Sequence, residues 1–174
     1  MTKFSTIDHE AVFTMEAMEA EVKFSGAFTN TQLVKNLFFQ DKKKPPTLYL
    51  VVAAGDTVLD TKAMWKKIGV TPGNQRAAKP EILDEVLGAP KGGVNLFSIV
   101  NDVNKQVKLI IDKRLWEESE FVGFHPMVNT STTSISRADM KKVVELSGRE
   151  PTIMDFGEIA GSTPAAAPKK EEKK

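Results

Sequence analysis

The sequence predicts a single mixed α/β domain of the α+β class, in which strands and helices alternate along residues 1–160. Three observations support this prediction. Short apolar runs rich in β-branched residues recur along the chain, the helix-like stripes between them start and stop at capping residues, and 41% of the 174 residues are hydrophobic, which is enough to bury a core.

The predicted strands are bounded by turn-forming residues. The segment 47–53 is an apolar run closed by glycine and aspartate, which is typical of a buried strand. The runs 94–100 and 106–111 flank a polar turn at 101–105, so we expect them to form a hairpin. Two further strands are predicted at 130–135 and 151–156.

Three helices are predicted from capping residues and apolar stripes. Aspartate and serine are favoured just before the first turn of a helix, proline fits that first turn, and glycine is favoured just past the end. The helices predicted in this way lie between Asp60 and Gly69, between Pro80 and Gly88, and between Ser136 and Gly148.

The cysteine and histidine content excludes several kinds of site. The chain has no cysteine and only two histidines, so we expect no disulfide framework, no cysteine nucleophile and no metal site. The formal net charge is only +1, from 24 basic and 23 acidic residues. Because a protein that grips a long duplex is usually more basic, any RNA contact should be short, or most of the RNA should be bound by another domain.

The hydropathy and the N-terminal residues predict the cellular compartment, and the C-terminal residues predict a tail. No apolar run approaches the roughly 18 residues of a membrane span, and the N-terminus lacks a signal-peptide core, so we expect a cytoplasmic protein without membrane contact. Residues 161–174 are first small and Pro-rich and then wholly charged, which is typical of a disordered linker or tail.

The first polar motif is Lys35-Asn36, directly before the apolar residues Leu37 and Phe38. It is interpreted either as a charged strand entrance beside core aromatics or as a phosphate contact, since a lysine can act there as a point charge. The basic run 42–44 has two similar interpretations, of which a solvated hairpin tip is favoured over a phosphate contact.

The second motif is Gly123-Phe124-His125-Pro126, whose loop also contains Asn129 and Thr130. A structural and a functional histidine fit this loop equally well, because loops on a rigid scaffold often carry function. The Gly92-Gly93 pair is either a plain loop or a phosphate-cradling turn. The common nucleophile-elbow, phosphate-loop and zinc-protease signatures are absent.

In this order and at this separation, the motifs resemble the YbaK and prolyl-tRNA-synthetase-associated editing domains, and most closely the branch that deacylates alanyl-tRNA(Pro). The resemblance extends from about residue 11 to residue 156 and implies a curved, mainly antiparallel sheet with surrounding helices. The matching segments are 12–14, 35–38 with 41–44, 48–52, 99–102, 107–112, 124–127 with 129–130, and 139–148.

The resemblance implies hydrolysis of mischarged alanyl-tRNA(Pro) to free alanine and tRNA(Pro). The aminoacylation site of a synthetase cannot strongly exclude an amino acid smaller than its own, because one methylene contributes only about 1–3 kcal/mol of binding free energy. A second site therefore corrects the error by size. In such domains a ribose hydroxyl of the terminal adenosine assists the attacking water, and no cofactor is expected. The implied partners are the acceptor end of tRNA(Pro) and prolyl-tRNA synthetase, in cis or in trans.

The resemblance also implies roles for particular residues. Lys35 should approach the terminal phosphate, the N–H groups of Gly92 and Gly93 the ester carbonyl, and His125 the acyl group, whose size it helps to limit. Further substrate contacts are expected from Asn36, Val94, Asn95, Leu96, Phe124, Pro126, Asn129 and Thr130. One departure is Leu96, which stands where the family often has the proline of a Gly-x-x-x-Pro loop.

Two alternatives stay open at this point. One is a tRNA-binding or assembly module that lacks catalysis, for which Leu96 is the only support. The other is a deacylase for a different misacylated tRNA, such as one that carries cysteine, serine or threonine.

Overall fold

The computed structural model describes residues 4–159 except residues 13, 24, 25 and 91, so the predicted tail at 161–174 lies outside the described residues. The strands are β1 (Phe4–Asp8), β2 (Thr31–Asp41), β3 (Leu48–Ala54), β4 (Gln75–Ala77), β5 (Val107–Asp112), β6 (Phe121–Phe124), β7 (Ser131–Ser136) and β8 (Thr152–Met154). They form one eight-stranded sheet in the order β1-β7-β6-β2-β3-β5-β8, and β4 pairs with β2 beside this path.

The strand β2 is the centre of the sheet, because three strands pair with it. It forms antiparallel ladders with β3 and β4 and a parallel ladder with β6. The β1–β7 and β6–β7 pairs are also antiparallel, whereas β3–β5 and β5–β8 are parallel. Four of the seven pairings among the described residues are thus antiparallel, and the predicted mixed α/β fold with a mainly antiparallel sheet is confirmed.

Helices cover the sheet, and the alternation along β2 assigns its residues to the two faces. Val34 and Phe38 belong to the main core, whereas Leu37 and Phe39 pack with Trp65 in a second cluster. The helices are α1 (Met15–Lys23), α2 (Thr61–Lys67), α3 (Pro80–Ile82), α4 (Arg137–Leu146) and α5 (Phe156–Ile159), with π-helical turns at Leu83–Leu87 and Arg114–Glu118 and 3-10 helices at Gly26–Phe28 and Leu96–Asn101.

The predicted helix caps are confirmed. The Asp60 side chain accepts from the Ala63 N–H at 3.0 Å, and the Ser136 hydroxyl accepts from the Asp139 N–H at 3.1 Å. Gly88 ends its helical segment in the left-handed region, with φ of +57°. Capping residues are read reliably from sequence because each acts on its own first or last turn.

The predicted strand at 94–100 is wrong, because this segment forms the 3-10 helix Leu96–Asn101. Asn95 caps that helix, with Oδ1 accepting from the N–H groups of Phe97 at 2.7 Å and Ser98 at 3.3 Å. This local capping overrides the β-propensity of the apolar run. The predicted hairpin with 106–111 is therefore also wrong, and β5 instead runs parallel to β3 and β8.

The end of the predicted strand at 151–156 also differs from the structure. Only Thr152–Met154 form a strand, and Phe156 begins α5. The Asp155 side chain accepts from the Glu158 N–H at 3.0 Å, which is the hydrogen bond of a helix cap.

Candidate active site

The loop between β6 and β7 carries His125. The strand before it ends at Phe124, a fully buried residue whose ring packs edge-on against Phe97 with centroids 5.3 Å apart. The half-buried His125 ring has Nδ1 2.9 Å from the carbonyl oxygen of Ser131, the first residue of β7. The imidazole is therefore tied to the strand that follows the loop.

The Gly92-Gly93 turn packs directly against this loop. Gly92 has φ of +89°, in the left-handed region that favours glycine, and a Cβ on Gly93 would lie 2.4 Å from the carbonyl oxygen of Met127. Any side chain at position 93 would push the turn and the loop apart. Glycine is thus required at both positions, at one for its backbone angle and at the other for close approach.

Asn95 joins the same two segments. It is fully buried, and its Nδ2 donates to the carbonyl oxygens of Gly93 at 2.8 Å and of His125 at 2.6 Å. Its Oδ1 meanwhile caps the 3-10 helix. Since both ends of the amide are engaged, the substrate contact predicted for Asn95 would have to displace one of these bonds.

His9, which was not predicted as a site residue, lies beside His125. The two ring centroids are 5.8 Å apart, with the planes tilted by 51°. His9 directly follows β1, where Asp8 is opposite Ser131 in the antiparallel ladder, and its N–H donates to the Thr130 carbonyl at 2.9 Å. The histidines are distant in the sequence, and only the pairing of β1 with β7 brings them together.

The pKa of His125 is lowered from its ordinary value of 6.5. Partial burial is the largest cause, the hydrogen bond to the Ser131 carbonyl opposes it, and the neighbouring His9 imidazole adds to it. At neutral pH the His125 ring is therefore uncharged, and one of its nitrogens is a hydrogen-bond acceptor.

Lys35 lies in the middle of β2, opposite Ala53 of β3, and not at a strand entrance. Its Nζ donates to the carbonyl oxygen of Gly55 at 3.1 Å and also to that of Thr57. Partial burial lowers the pKa of Lys35, while Asp56 acts in the opposite direction. Two of the three N–H groups of the ammonium are thus engaged, and the third is left for a ligand.

Lys35 and His125 both follow the last residue pair of the β2–β6 ladder. The parallel register of β2 and β6 places Leu33 opposite Gly123, and a Cβ on Gly123 would lie 2.8 Å from the Leu33 side chain. Lys35 is two positions beyond Leu33 within β2, so strand alternation places it on the same face as Leu33. His125 is two positions beyond Gly123, just past the end of β6 at Phe124. Asn36 faces the main core instead, and its Oδ1 is buried without a hydrogen-bond partner in the described structure.

A charged network that was not predicted surrounds Thr57. Arg114 forms a fork with Asp56, at 2.9 and 3.3 Å, and also donates to the Thr57 hydroxyl. The buried Asp112 accepts from the Thr57 hydroxyl at 2.8 Å and from the Ala54 N–H at 3.1 Å. The sequence contained a pattern that could have predicted this network, because these polar residues end or follow the two apolar runs that form the parallel strands β3 and β5.

The remaining predicted contact residues differ in burial. Leu96 and Phe124 are fully buried in the main core, so they stand behind the loops that carry His125 and the glycines. The others are Val94, partly buried against that core, Pro126 and Asn129, half-buried, and Thr130, exposed.

A separate groove of about 310 Å³ lies beyond the end of β2. None of the predicted catalytic residues lines it. The end of β2 is six residues from Lys35, which is about 20 Å along a strand. The groove is lined by Asp41, Lys42, Lys43, Gly69, Val70, Thr71, Asn74 and Gln75.

Comparison with known protein families gives the identity of the fold. The family described as the aminoacyl-tRNA editing domain matches residues 9–143, which include His9, Lys35, both glycines and His125. The chain belongs to the aminoacyl-tRNA editing domain family. This confirms the predicted class of activity, which is editing by hydrolysis of an aminoacyl ester.

Relatives of this editing domain carry related names. The prolyl-tRNA editing protein ProX of Acetoanaerobium sticklandii is 34% identical over 145 residues, which cover 83% of this chain and 84% of that protein. The prolyl-tRNA synthetase associated domain-containing protein 1 of Mus musculus is 33% identical over 152 residues, covering 86% of each chain. A candidate proline–tRNA ligase of Schizosaccharomyces pombe is 22% identical over 170 residues, covering 97% of this chain and 24% of that protein.

Solved structures show the same fold. A hypothetical protein, APE2540, superimposes with a TM-score of 0.61 at 21% identity, covering 88% of this chain and 90% of that one. A candidate trans-editing enzyme for prolyl tRNA synthetase gives 0.61 at 20% identity, covering 87% and 85%.

The described part of the editing domain lacks two kinds of feature. None of its helices has both the length and the apolar composition that crossing a bilayer requires. Nor do its described histidine, aspartate and glutamate residues form a cluster of three or more that could hold a metal ion.

Proposed function

We propose that the editing domain hydrolyses alanyl-tRNA(Pro) and spares prolyl-tRNA(Pro). The observation that carries this proposal is the 34% identity to a protein named as a prolyl-tRNA editing protein, over most of both chains. The parallel ladder of β2 and β6 supports it, because it brings the segments that carry Lys35 and His125 next to each other, and a phosphate contact and an acyl contact are needed side by side at the end of an aminoacyl-tRNA.

In the proposed reaction, water adds to the ester carbonyl carbon, and the resulting oxyanion collapses to expel the ribose oxygen, which takes up a proton. The third N–H of the Lys35 ammonium binds the terminal phosphate. Because the Gly93 N–H already donates to Pro90 at 2.9 Å, we assign the carbonyl contact to the Gly92 N–H. A ribose hydroxyl of the substrate helps to activate the water, so the protein supplies position and charge.

Size selection follows from the loop that carries His125. The contact of Gly93 with Met127 and the two hydrogen bonds from Asn95 fix the distance between the glycine turn and this loop. The fixed arrangement of the two segments beside His125 would admit the methyl group of alanine and exclude the larger proline ring. The buried Leu96, in the position where the family often has proline, supports the gap from behind.

The rest of the tRNA acceptor end would lie along the basic end of β2. Lys42, Lys43 and Lys44 are exposed there, whereas Asp41 is buried and accepts hydrogen bonds from the Lys43 and Thr47 N–H groups. Positive side chains suit RNA phosphates. The partial match to a candidate proline–tRNA ligase supports association with that synthetase, in cis or in trans, and we infer a cytoplasmic location from this substrate.

The test is a deacylation assay with tRNA(Pro) charged with alanine or proline, and with tRNAs mischarged with cysteine, serine or threonine. Release of alanine alone is the expected result. Preferential release of cysteine, serine or threonine would move the enzyme to another acyl specificity. No release above the buffer background from any substrate, with folded protein, would identify a binding module without catalysis.

A further inference from the structure

The observation is a hydrogen-bonded path between the two histidines. Thr132 is fully buried, and its hydroxyl oxygen lies 2.8 Å from Nε2 of His9 and 3.4 Å from Nδ1 of His125. The second ring nitrogen of His9, Nδ1, lies 2.8 Å from the carbonyl oxygen of Glu10.

These partners assign the protons on both rings. A carbonyl oxygen only accepts, so Nδ1 of His9 carries a hydrogen, and in that tautomer Nε2 is an acceptor. The Thr132 hydroxyl must therefore donate to His9. By the same argument, Nδ1 of His125, 2.9 Å from the Ser131 carbonyl, carries a hydrogen.

The direction of the Thr132 hydroxyl then fixes what His125 can do. Having given its proton to His9, this hydroxyl can only accept from Nδ1–H of His125, as the longer branch of a bond shared with Ser131. One arrangement of hydrogens therefore satisfies His9, the Thr132 hydroxyl and His125 together. In that arrangement Nε2 of His125 keeps its lone pair and can accept from an N–H or O–H of the substrate.

We propose that His9 is a positioning residue: by turning the Thr132 hydroxyl into an acceptor, it reinforces the Ser131 carbonyl in holding His125 in the Nδ1-protonated form and so keeps Nε2 as the acceptor in the active site. The inference rests on the proposed function in so far as His125 borders the acyl group. A histidine that simply filled space after β1 would not require a particular proton on His125.

The experiment compares four variants with the wild type in single-turnover deacylation of alanyl-tRNA(Pro). Thr132→Val and His9→Ala break the path and should lower the rate about tenfold or more, with little change in the substrate concentration at half-maximal rate. Thr132→Ser restores the hydroxyl, and His9→Gln offers an amide oxygen where Nε2 was, so both should recover most of the rate.

Thr133→Val is the matched control. It is the same substitution on the next residue of β7, and the Thr133 hydroxyl pairs with Thr6 at 3.0 Å rather than with an imidazole. We expect its rate to equal that of the wild type. Equal losses in Thr132→Val, Thr132→Ser and Thr133→Val would show general damage to the strand and would overturn the proposal.

A second readout does not depend on activity. Nitrogen NMR of the wild type at pH 8 should show His125 protonated at Nδ1 and bare at Nε2. Thr132→Val leaves the Ser131 carbonyl as the one acceptor for Nδ1–H and should therefore raise the fraction of the Nε2-protonated tautomer. An unchanged His125 tautomer in both Thr132→Val and His9→Ala would refute the positioning role even if no deacylation were found. If the wild type releases no amino acid but the tautomer shifts as expected, only the proposed function fails.

Discussion

At the scale of single residues, Lys35 combines a charge with two hydrogen bonds that hold the chain after β3. Lys35→Ala removes both, so we expect a large loss of deacylation together with a loss of about 1–3 kcal/mol in the free energy of unfolding. Lys35→Arg keeps the charge and should retain part of the activity. Single-turnover rates and urea unfolding measure the two effects separately.

The control for Lys35 is Lys62→Ala, an exposed lysine on α2, which should change neither quantity. A lysine at a strand entrance could be removed without a stability loss, whereas Lys35 also binds the carbonyl oxygens of Gly55 and Thr57. Full activity in Lys35→Ala would contradict the role assigned to its charge.

Gly92 and Gly73 form a natural matched pair, since both have φ of +89°. Alanine at either position should cost about 1 kcal/mol of stability, because an L side chain is strained at this angle. Only Gly92→Ala should also slow deacylation, since only Gly92 adjoins the loop that carries His125. Equal rates in the two variants would remove the glycine turn from the active site.

The pH dependence of stability should report His125. A histidine whose pKa is lower in the folded state than 6.5 contributes stability that is complete above pH 6.5 and is lost as the pH falls toward the folded value. His125→Asn keeps a donor for the Ser131 carbonyl but cannot titrate. The difference in unfolding free energy between wild type and variant should therefore shrink from pH 7.5 to pH 5.5, as measured by urea titration at both values.

At the scale of elements, the 3-10 helix and the β6–β7 loop depend on one amide. Asn95→Ser keeps a side-chain oxygen for the cap but loses the Nδ2 donor to Gly93 and His125. We expect it to lower deacylation at least as strongly as stability, because the gap between the two segments is no longer fixed. Ser136→Ala, which removes the cap of α4, should cost about 1 kcal/mol without a specific effect on rate.

The elements that could be predicted from sequence are those formed by interactions between residues close together in the chain. The caps at Asp60 and Ser136 act within one turn, and they were found. The 3-10 helix was missed because its apolar residues match a strand, although Asn95 and Ser98 form a capping box that was there to be read. His9 was missed because the pairing of β1 with β7, which are distant in the sequence, brings it beside His125, and no local sequence pattern predicts that pairing.

At the scale of the whole molecule, a formal charge of +1 conceals an uneven distribution. Lys42, Lys43 and Lys44 are exposed together beside the groove, so we expect the KM for alanyl-tRNA(Pro) to rise steeply with salt. Replacing all three by glutamine should raise KM about tenfold at low salt and flatten its salt dependence, because fewer counterions are released. Lys108→Gln is the control, and an unchanged salt slope in the triple variant would separate this end of the sheet from tRNA binding.

The two parts of the proposed active site lie on strands that differ in their resistance to local opening. Lys35 lies on β2, an interior strand that is paired with β3 at this residue, whereas His9 directly follows β1, one of the two end strands of the sheet. Outer strands open locally at a lower free-energy cost than central ones, and their amide hydrogens exchange sooner. As the temperature rises, β1 should therefore open and displace His9 while β2 is still paired. We expect the proposed deacylation to fall some degrees below the melting temperature of the protein.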